Sequence, residues 1–382
     1  MKTLKKLTVP ILAVLLFPSA GWTQTVEEVE VSSGQLLDIA LEDGGTVEIT
    51  GWERSTVRVE AESSGRNGEA MIGIRKTAAG VEVRVEEDHE GGVHHRRGRG
   101  GHDVKVRVPS RFDLEIETAG GAITISGVEG RIEGETMGGK LDLSNLKGTL
   151  KMSTMGGNIR LVDSQVDGKV STMGGQVLLE NVLGDVDGSS LGGNVTYKNV
   201  QRSDGTSTGA GEVLHITTMG GNIELAEAPH GAELETMGGN IVVGSAGGFV
   251  EAETMGGNVI LREVDGRVTA TTMGGDVEVR IVGDPQSEDR NIELSSMSGE
   301  VRLTVPRGFS MDVEIELAYT KGRAGRYAIE SDLGLTIQEE PDWDYGHGGA
   351  RKIIRGSGVF AGGKNTIKIS TINGNVELRQ ED

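Results

Sequence analysis

Residues Thr154-Met155-Gly156-Gly157-Asn158-Ile159 read TMGGNI, and the same phrase or a near copy returns at Thr218, Thr236 and Thr254. The residue before the glycine pair falls at Ala119, Met137, Met155, Met173 and Leu191, each 18 positions after the last. A second run falls at Met219, Met237, Met255 and Met273 at the same interval. Leu191 to Met219 spans 28 positions and Met273 to Met297 spans 24, so two units carry extra residues. A fixed period of this kind is the signature of a repeat architecture and outranks any local reading.

With the glycine pair at positions 1 and 2, positions 4 and 6 are apolar, as in Ile159/Leu161, Ile223/Leu225 and Val259/Leu261. Position 13 is usually apolar again, as in Ile132, Leu150, Val186, Val250 and Val268. Period-two alternation makes these stretches strands, and the glycines and acids between them turns. Two short strands and two tight turns per unit do not make hairpins of a sandwich. The expected fold is all-β: a parallel β-solenoid of 18-residue coils, each paired with the coils above and below.

The phrase then has a construction role letter by letter. The glycine pair is expected to turn the chain sharply through positive φ. Asn at position 3 is expected to stack amide to amide along the coils. Thr at position 17 shares parity with position 13 and is expected to face inward. Met at position 18 has the opposite parity. It is expected to pack, either folded over the glycine corner or turned inward by a bulge, and an outward methionine stripe is the sharper alternative.

Composition narrows the class. Glycine is 61 of 382 residues and aromatics are 3%, so an aromatic-rich globular core is excluded. Lys2, Lys5 and Lys6 precede an apolar run from Val9 to Phe17 and the small residues Pro18, Ser19, Ala20 and Gly21. This reads as a signal peptide over 1–21, too short for a membrane span. Its removal moves the net charge from −20 to −23. So acidic a chain repels nucleic acid phosphates and suits cations or a basic partner. The chain has no cysteine, which excludes a disulfide framework.

Residues 22–117 read as a β-rich N-terminal cap region, with Gly45–Trp52 as an early, degenerate coil. The regular coils occupy 118–304 with an insertion near 201–212. Residues 305–382 read as a C-terminal cap region that ends in a final coil from Ile367 to Leu378. An open coil end is a sticky sheet edge and needs such covers.

Two loops carry side chains that invite chemistry. The first sets His89, His94, His95 and His102 among acids, and imidazoles with carboxylates are ligands for zinc, copper or nickel. Its spacing matches no closed zinc motif, and Arg96, Arg97 and Arg99 oppose a cation. The second sets Asp342, Trp343, Asp344 and Tyr345 together, and aromatic rings flanked by carboxylates serve sugar-binding and glycosidase clefts. The alternative for it is an aromatic plug on the cap. The turn acids lack the G-G-x-G-x-D pattern of a calcium-binding β-roll. There is no G-x-S-x-G elbow and no cysteine nucleophile, so no catalytic residues are assigned and no cofactor is expected.

Three segments together resemble a known family. They are the T-x-G-G-x-[IV]-x-[LV] coils, EDGGTVEITGW from Glu42 to Trp52, and the Val-Pro lead-in from Val108 to Leu114. They are similar to the bacterial "putative adhesin" domain family, over roughly residues 30 to 300 and the final coil. The resemblance implies an exported β-strand-repeat protein without a catalytic motif. The chain departs from a plain member in its His/Arg-rich loop and in the insertion after Val200.

The combined expectation is an exported, non-enzymatic β-solenoid, periplasmic or extracellular, serving in adhesion or as an envelope scaffold. Its partner would be a cell surface, a glycan or a protein, with no nucleic acid and no membrane span. Carbohydrate binding or cleavage at Asp342-Trp343-Asp344, and metal binding by the His-rich loop 89–102, stand as alternatives.

Overall fold

Strands cover most of the chain because its apolar residues alternate with polar ones almost without a break. The computed structural model describes residues 23–42, 44–63, 70–87, 102–201, 213–345 and 349–381. The expected signal peptide, His89, His94, His95 and nearly all of the insertion at 201–212 lie outside these described residues. Two compact units are formed, residues 1–157 with 163–167, and residues 158–162 with 168–382.

In the first unit, parallel pairs repeat the 18-residue interval. Leu141–Ser144 lies on Ile123–Ser126 with Leu141 opposite Ile123, and Lys147–Thr154 lies on Glu129–Thr136 with Leu150 opposite Ile132. Leu36–Leu41 and Gly45–Trp52 form a further coil beneath, in register through Leu37↔Leu114 and Val47↔Ile123. The coil expected at Gly45–Trp52 is therefore present. Its other side carries Gly80–Glu87 and His102–Pro109, so stacking order departs from chain order. Antiparallel strands follow beyond these: Thr56–Ser63 on His102–Pro109, Thr23–Glu30 on Thr56–Ser63, and Ala70–Lys76 on Gly80–Glu87. A change to antiparallel pairing ends the coil stack, the usual protection for an exposed edge.

The second unit holds the most regular pairing, Ile241–Thr254 against Val259–Thr272, with every partner 18 residues away. The long intervals read from the sequence return as register offsets. Tyr197 sits opposite Leu225, and Val268 sits opposite Ile292. The strands that flank each long interval keep parallel pairing with their neighbours. The C-terminal coil, Asn365–Ile372 with Val376–Glu381, stacks directly on Ile292–Ser296 and Val301–Pro306. Met311–Thr320, earlier in the chain, lies on its far side and pairs antiparallel with Arg351–Phe360.

The interior is a set of apolar columns, such as Ile241-Val259-Val277 and Val243-Leu261-Val279. Each fully buried Val, Ile or Leu contributes about 1.5–3 kcal/mol, and repetition makes up for the missing aromatics. Where Tyr197 enters, Gly188 makes room for it: Tyr197 is buried, and its hydroxyl accepts the Gly188 N–H at 2.6 Å.

Candidate functional site

The corner that carries the repeated phrase is built the same way in coil after coil. Thr254 is buried; its Oγ1 donates to the Gly239 carbonyl of the coil below (2.8 Å) and accepts the Gly257 N–H (3.2 Å). Thr236 and Thr272 repeat both bonds in the second unit, and Thr154 does so in the first. Inward threonine was expected from parity, and the two bonds give its reason: one hydroxyl satisfies two main-chain groups at a turn.

The glycines act differently from expectation. The pair does not need positive φ; Gly256 and Gly257 lie outside the left-handed region. The second glycine is required by close approach. A Cβ on Gly257 would lie 1.9 Å from the Gly239 carbonyl oxygen, and the same clash recurs at Gly221, Gly239 and Gly275. The first glycine has ordinary space, with nothing closer than 3.6 Å to a Cβ on Gly256.

Asparagine at position 3 also works otherwise than expected. The Asn240 side-chain carbonyl accepts the main-chain N–H of Asn258 at 2.8 Å, and Asn258 does the same for Asp276. The ladder runs side chain to main chain. An amide-to-amide rung exists in another column, where Asn199 Nδ2 donates to Asn181 Oδ1 at 2.9 Å. This position takes left-handed φ values, 54° and 51° at Asn181 and Asn199 in the second unit and 53° and 49° at Asn145 and Asp163 in the first. Sequence reasoning missed it, although Asn or Asp recurring every 18 residues at position 8 was the available signal.

Four of the six letters, Thr, the second glycine, Asn and the buried Ile, are thus explained by construction. Methionine is not. In the second unit Met173, Leu191, Met219, Met237, Met255, Met273 and Met297 are 46–52% exposed, and Met137 and Met155 are exposed likewise in the first. This overturns the expectation that the methionines pack. Alternation carries through the corner: Thr254 points in, so Met255 points out, and the sharp turn comes only after it. Main-chain bonds place the residues in a column, since Met219 N–H donates to Leu191 O and Gly238 N–H donates to Met219 O. Large exposed apolar groups in a continuous line mark interaction sites on soluble proteins.

The loop singled out for sugar chemistry is arranged as follows. Trp343 stands edge-on to Tyr319, with ring centroids 5.8 Å apart and planes at 85°, and Lys352 Nζ lies 6.0 Å from its ring. Tyr319 donates a short hydrogen bond to Glu339, which also pairs with Lys352 at 3.2 Å. The Tyr319 hydroxyl is pushed up to about 12, first by that hydrogen bond and then by burial and the Glu339 charge. Glu339 is held below the usual carboxylate range, first by the Tyr319 bond and then by Lys352. Asp344 exchanges two main-chain bonds with Arg351, and Asp342, Asp344 and Tyr345 are exposed. The Trp343 ring is thus engaged by the protein's own Tyr319 and Lys352.

Of the four candidate histidines, His102 is described. It begins the strand His102–Pro109, is 3% exposed, and its Nδ1 has no hydrogen-bond partner. Among the described residues, no three His, Cys, Asp or Glu side chains are grouped to hold a metal ion. Likewise no helix among them is long and apolar enough to cross a membrane.

A family model described as Toastrack DUF4097 matches residues 35–330. Among solved structures, the chain is similar to a "putative cell adhesion protein" from Clostridium sporogenes (11% identity, TM-score 0.19, 94% of this chain and 99% of that one). It is also similar to a "putative adhesin" from Parabacteroides distasonis (15%, TM-score 0.31, 71% and 96%) and to a "putative lipid binding protein" from the same organism (9%, TM-score 0.20, 93% and 96%). No curated protein matches.

Proposed function

The chain belongs to the Toastrack DUF4097 family, and from that premise we propose that it is an exported, non-enzymatic binding protein of the adhesion or envelope-scaffold kind. Its contact surface is the exposed apolar column of the coil corners. The observation that carries this reading is that methionine is the one side chain of TMGGNI that the fold does not consume. Around Met255, Thr254 and Gly257 are engaged in the corner bonds and Asn258 in the ladder. The methionine side chain is presented once per coil, on a backbone held by parallel pairing on both sides.

Such a surface suits weak contacts made many times. Linked weak contacts raise overall binding by about 10²–10⁴ over a single one without any new chemistry. An acidic chain at −20 favours a partner with basic groups around its apolar contact. Export, to the periplasm or beyond the cell, rests on the reading of residues 1–21.

The test replaces apolar by polar groups of similar length. Immobilised protein is exposed to envelope fractions of the producing cell, and retention is measured for the native chain, for Met237→Gln, and for Met219→Gln/Met237→Gln/Met255→Gln. A few-fold loss in the single variant and about a hundredfold loss in the triple is expected, with unchanged circular dichroism. Equal retention of all three removes the column as the contact surface. Release of sugar from envelope glycans that disappears in Asp342→Ala would instead establish the carbohydrate-active reading.

A further inference from the structure

We propose that the methionine column from Met219 to Met297 binds soft monovalent metal ions, Cu(I) or Ag(I), each ion held between thioethers of neighbouring coils. This goes beyond the binding role above, which needs only an apolar surface. The proposal rests on the choice of sulfur, on the spacing of the coils and on the surrounding charge.

Sulfur is the first point. The buried apolar columns of this protein are filled by Val, Ile, Leu and Ala. A surface that needed only apolar area could use the same residues, as Leu191 shows by occupying the same place. Yet from Met137 to Met297 the corner position is otherwise methionine, and it takes eight of the chain's 12 methionines. The chain contains no cysteine, so thioethers are its entire sulfur chemistry. Thioether sulfur selects Cu(I) among the biological metals, whereas carboxylate, carbonyl and water suit magnesium, calcium and manganese.

Spacing is the second point. The strands leading into the corner are in register, Thr218↔Thr236, Thr236↔Thr254, Thr254↔Thr272 and Thr272↔Ser296. The methionine that follows each is therefore one strand spacing from the next, about 4.8 Å. A metal ion between two sulfurs with bonds of about 2.3 Å spans about 4.6 Å. Linear two-coordination thus fits between coils without moving the backbone, and a third thioether from the next coil lies within reach of methionine's three rotatable bonds. Five methionines follow one another without interruption from Met219 to Met297.

Charge is the third point. Glu235 and Glu253 precede Met237 and Met255 by two residues and are exposed, and Asp276 and Glu300 occupy the ladder position after the later corners. With a net charge of −20, this acidic field raises the local concentration of cations.

The experiment titrates the full chain with silver nitrate in chloride-free buffer, read by calorimetry and by the methyl resonances of methionine. Two triple variants lose the same number of thioethers. Met155→Leu/Met237→Leu/Met273→Leu leaves five column methionines, none with methionine on an adjacent coil. Met137→Leu/Met155→Leu/Met173→Leu also leaves five, with the run Met219 to Met297 intact. The native chain and the second variant are expected to bind at least two Ag(I) with similar affinity, with shifts at the Met237 and Met255 methyls. The first variant is expected to bind at least tenfold more weakly. All three should give the same circular dichroism, because the side chains changed are exposed. Equal affinity in the two variants, or no saturable uptake by the native chain, overturns the proposal. Leucine keeps the column apolar, so retention on envelope fractions should survive both variants. Loss of that retention in Met→Gln with silver binding absent from the native chain would leave the adhesion reading standing and this one refuted.

Discussion

Replacing Gly257 by alanine should unfold the protein locally, while the same change at Gly256, one residue earlier, should be tolerated. A Cβ on Gly257 would lie 1.9 Å from the oxygen and 2.3 Å from the carbon of the Gly239 carbonyl, where real Cβ atoms stay beyond 3.0 Å. Relief requires the coils to part by about 1 Å at this corner, which leaves little of a hydrogen bond near 3 Å. The bonds at risk between these two coils are Thr254 Oγ1 to Gly239 O (2.8 Å), Asn258 N–H to Asn240 Oδ1 (2.8 Å) and Ile241 N–H to Asn258 O (2.9 Å). At about 1 kcal/mol for each bond, and more for any group left buried without a partner, the cost is about 3–5 kcal/mol. For Gly256 the nearest atoms to a new Cβ are 3.6 and 3.7 Å away, ordinary contacts, and its φ is outside the left-handed region. Alanine there restricts the unfolded chain and should raise stability by up to about 1 kcal/mol. Urea unfolding followed by far-ultraviolet circular dichroism compares the two variants directly. Equal midpoints for Gly257→Ala and the native protein, or equal losses in both variants, would refute the close-approach account of the second glycine.

Two further outcomes follow from the same geometry. Thr254→Val should cost about 1–3 kcal/mol for each main-chain group it orphans, at Gly239 O and Gly257 N, whereas Thr254→Ser should stay near the native urea midpoint. Ser190 supports the second half, because its Oγ makes the equivalent pair of bonds to Gly175 O and Gly193 N–H. Tyrosinate absorbance should show Tyr319 ionising near 12, and Glu339→Gln should return it toward the ordinary value of about 10. Because the folded value is raised, the stabilisation from this group is fully present below about pH 10 and lost as pH rises through about 12. A Tyr319 titration unchanged in Glu339→Gln would show that the hydrogen bond is not the cause.

The 18-residue interval was enough to foresee parallel stacking, because residues that repeat at one interval can satisfy their main chains only on copies of themselves. The inward threonines and the final coil at Ile367 followed from the same alternation. The direction of the methionines did not follow. Alternation alone pointed them out, but whether a corner bends back before or after Met255 depends on main-chain angles that glycines leave open. The role of the second glycine was hidden for a related reason: close approach is a distance between Gly257 and Gly239, and no residue states a distance. The coil order at the ends was equally unreadable. Leu36–Trp52 lies between two later segments, and Asn365–Glu381 lies on Ile292–Pro306 while Met311–Thr320 waits outside it. Trp343 shows the limit at one side chain, since its loop left a sugar-binding ring and an aromatic plug both open, and Tyr319 and Lys352 engage the ring. Local alternation and period are properties of neighbouring residues along the chain, so sequence alone determined the coil. Which coil meets which, and which side chain is left for a partner, depends on contacts between distant residues, and only the folded molecule decides those.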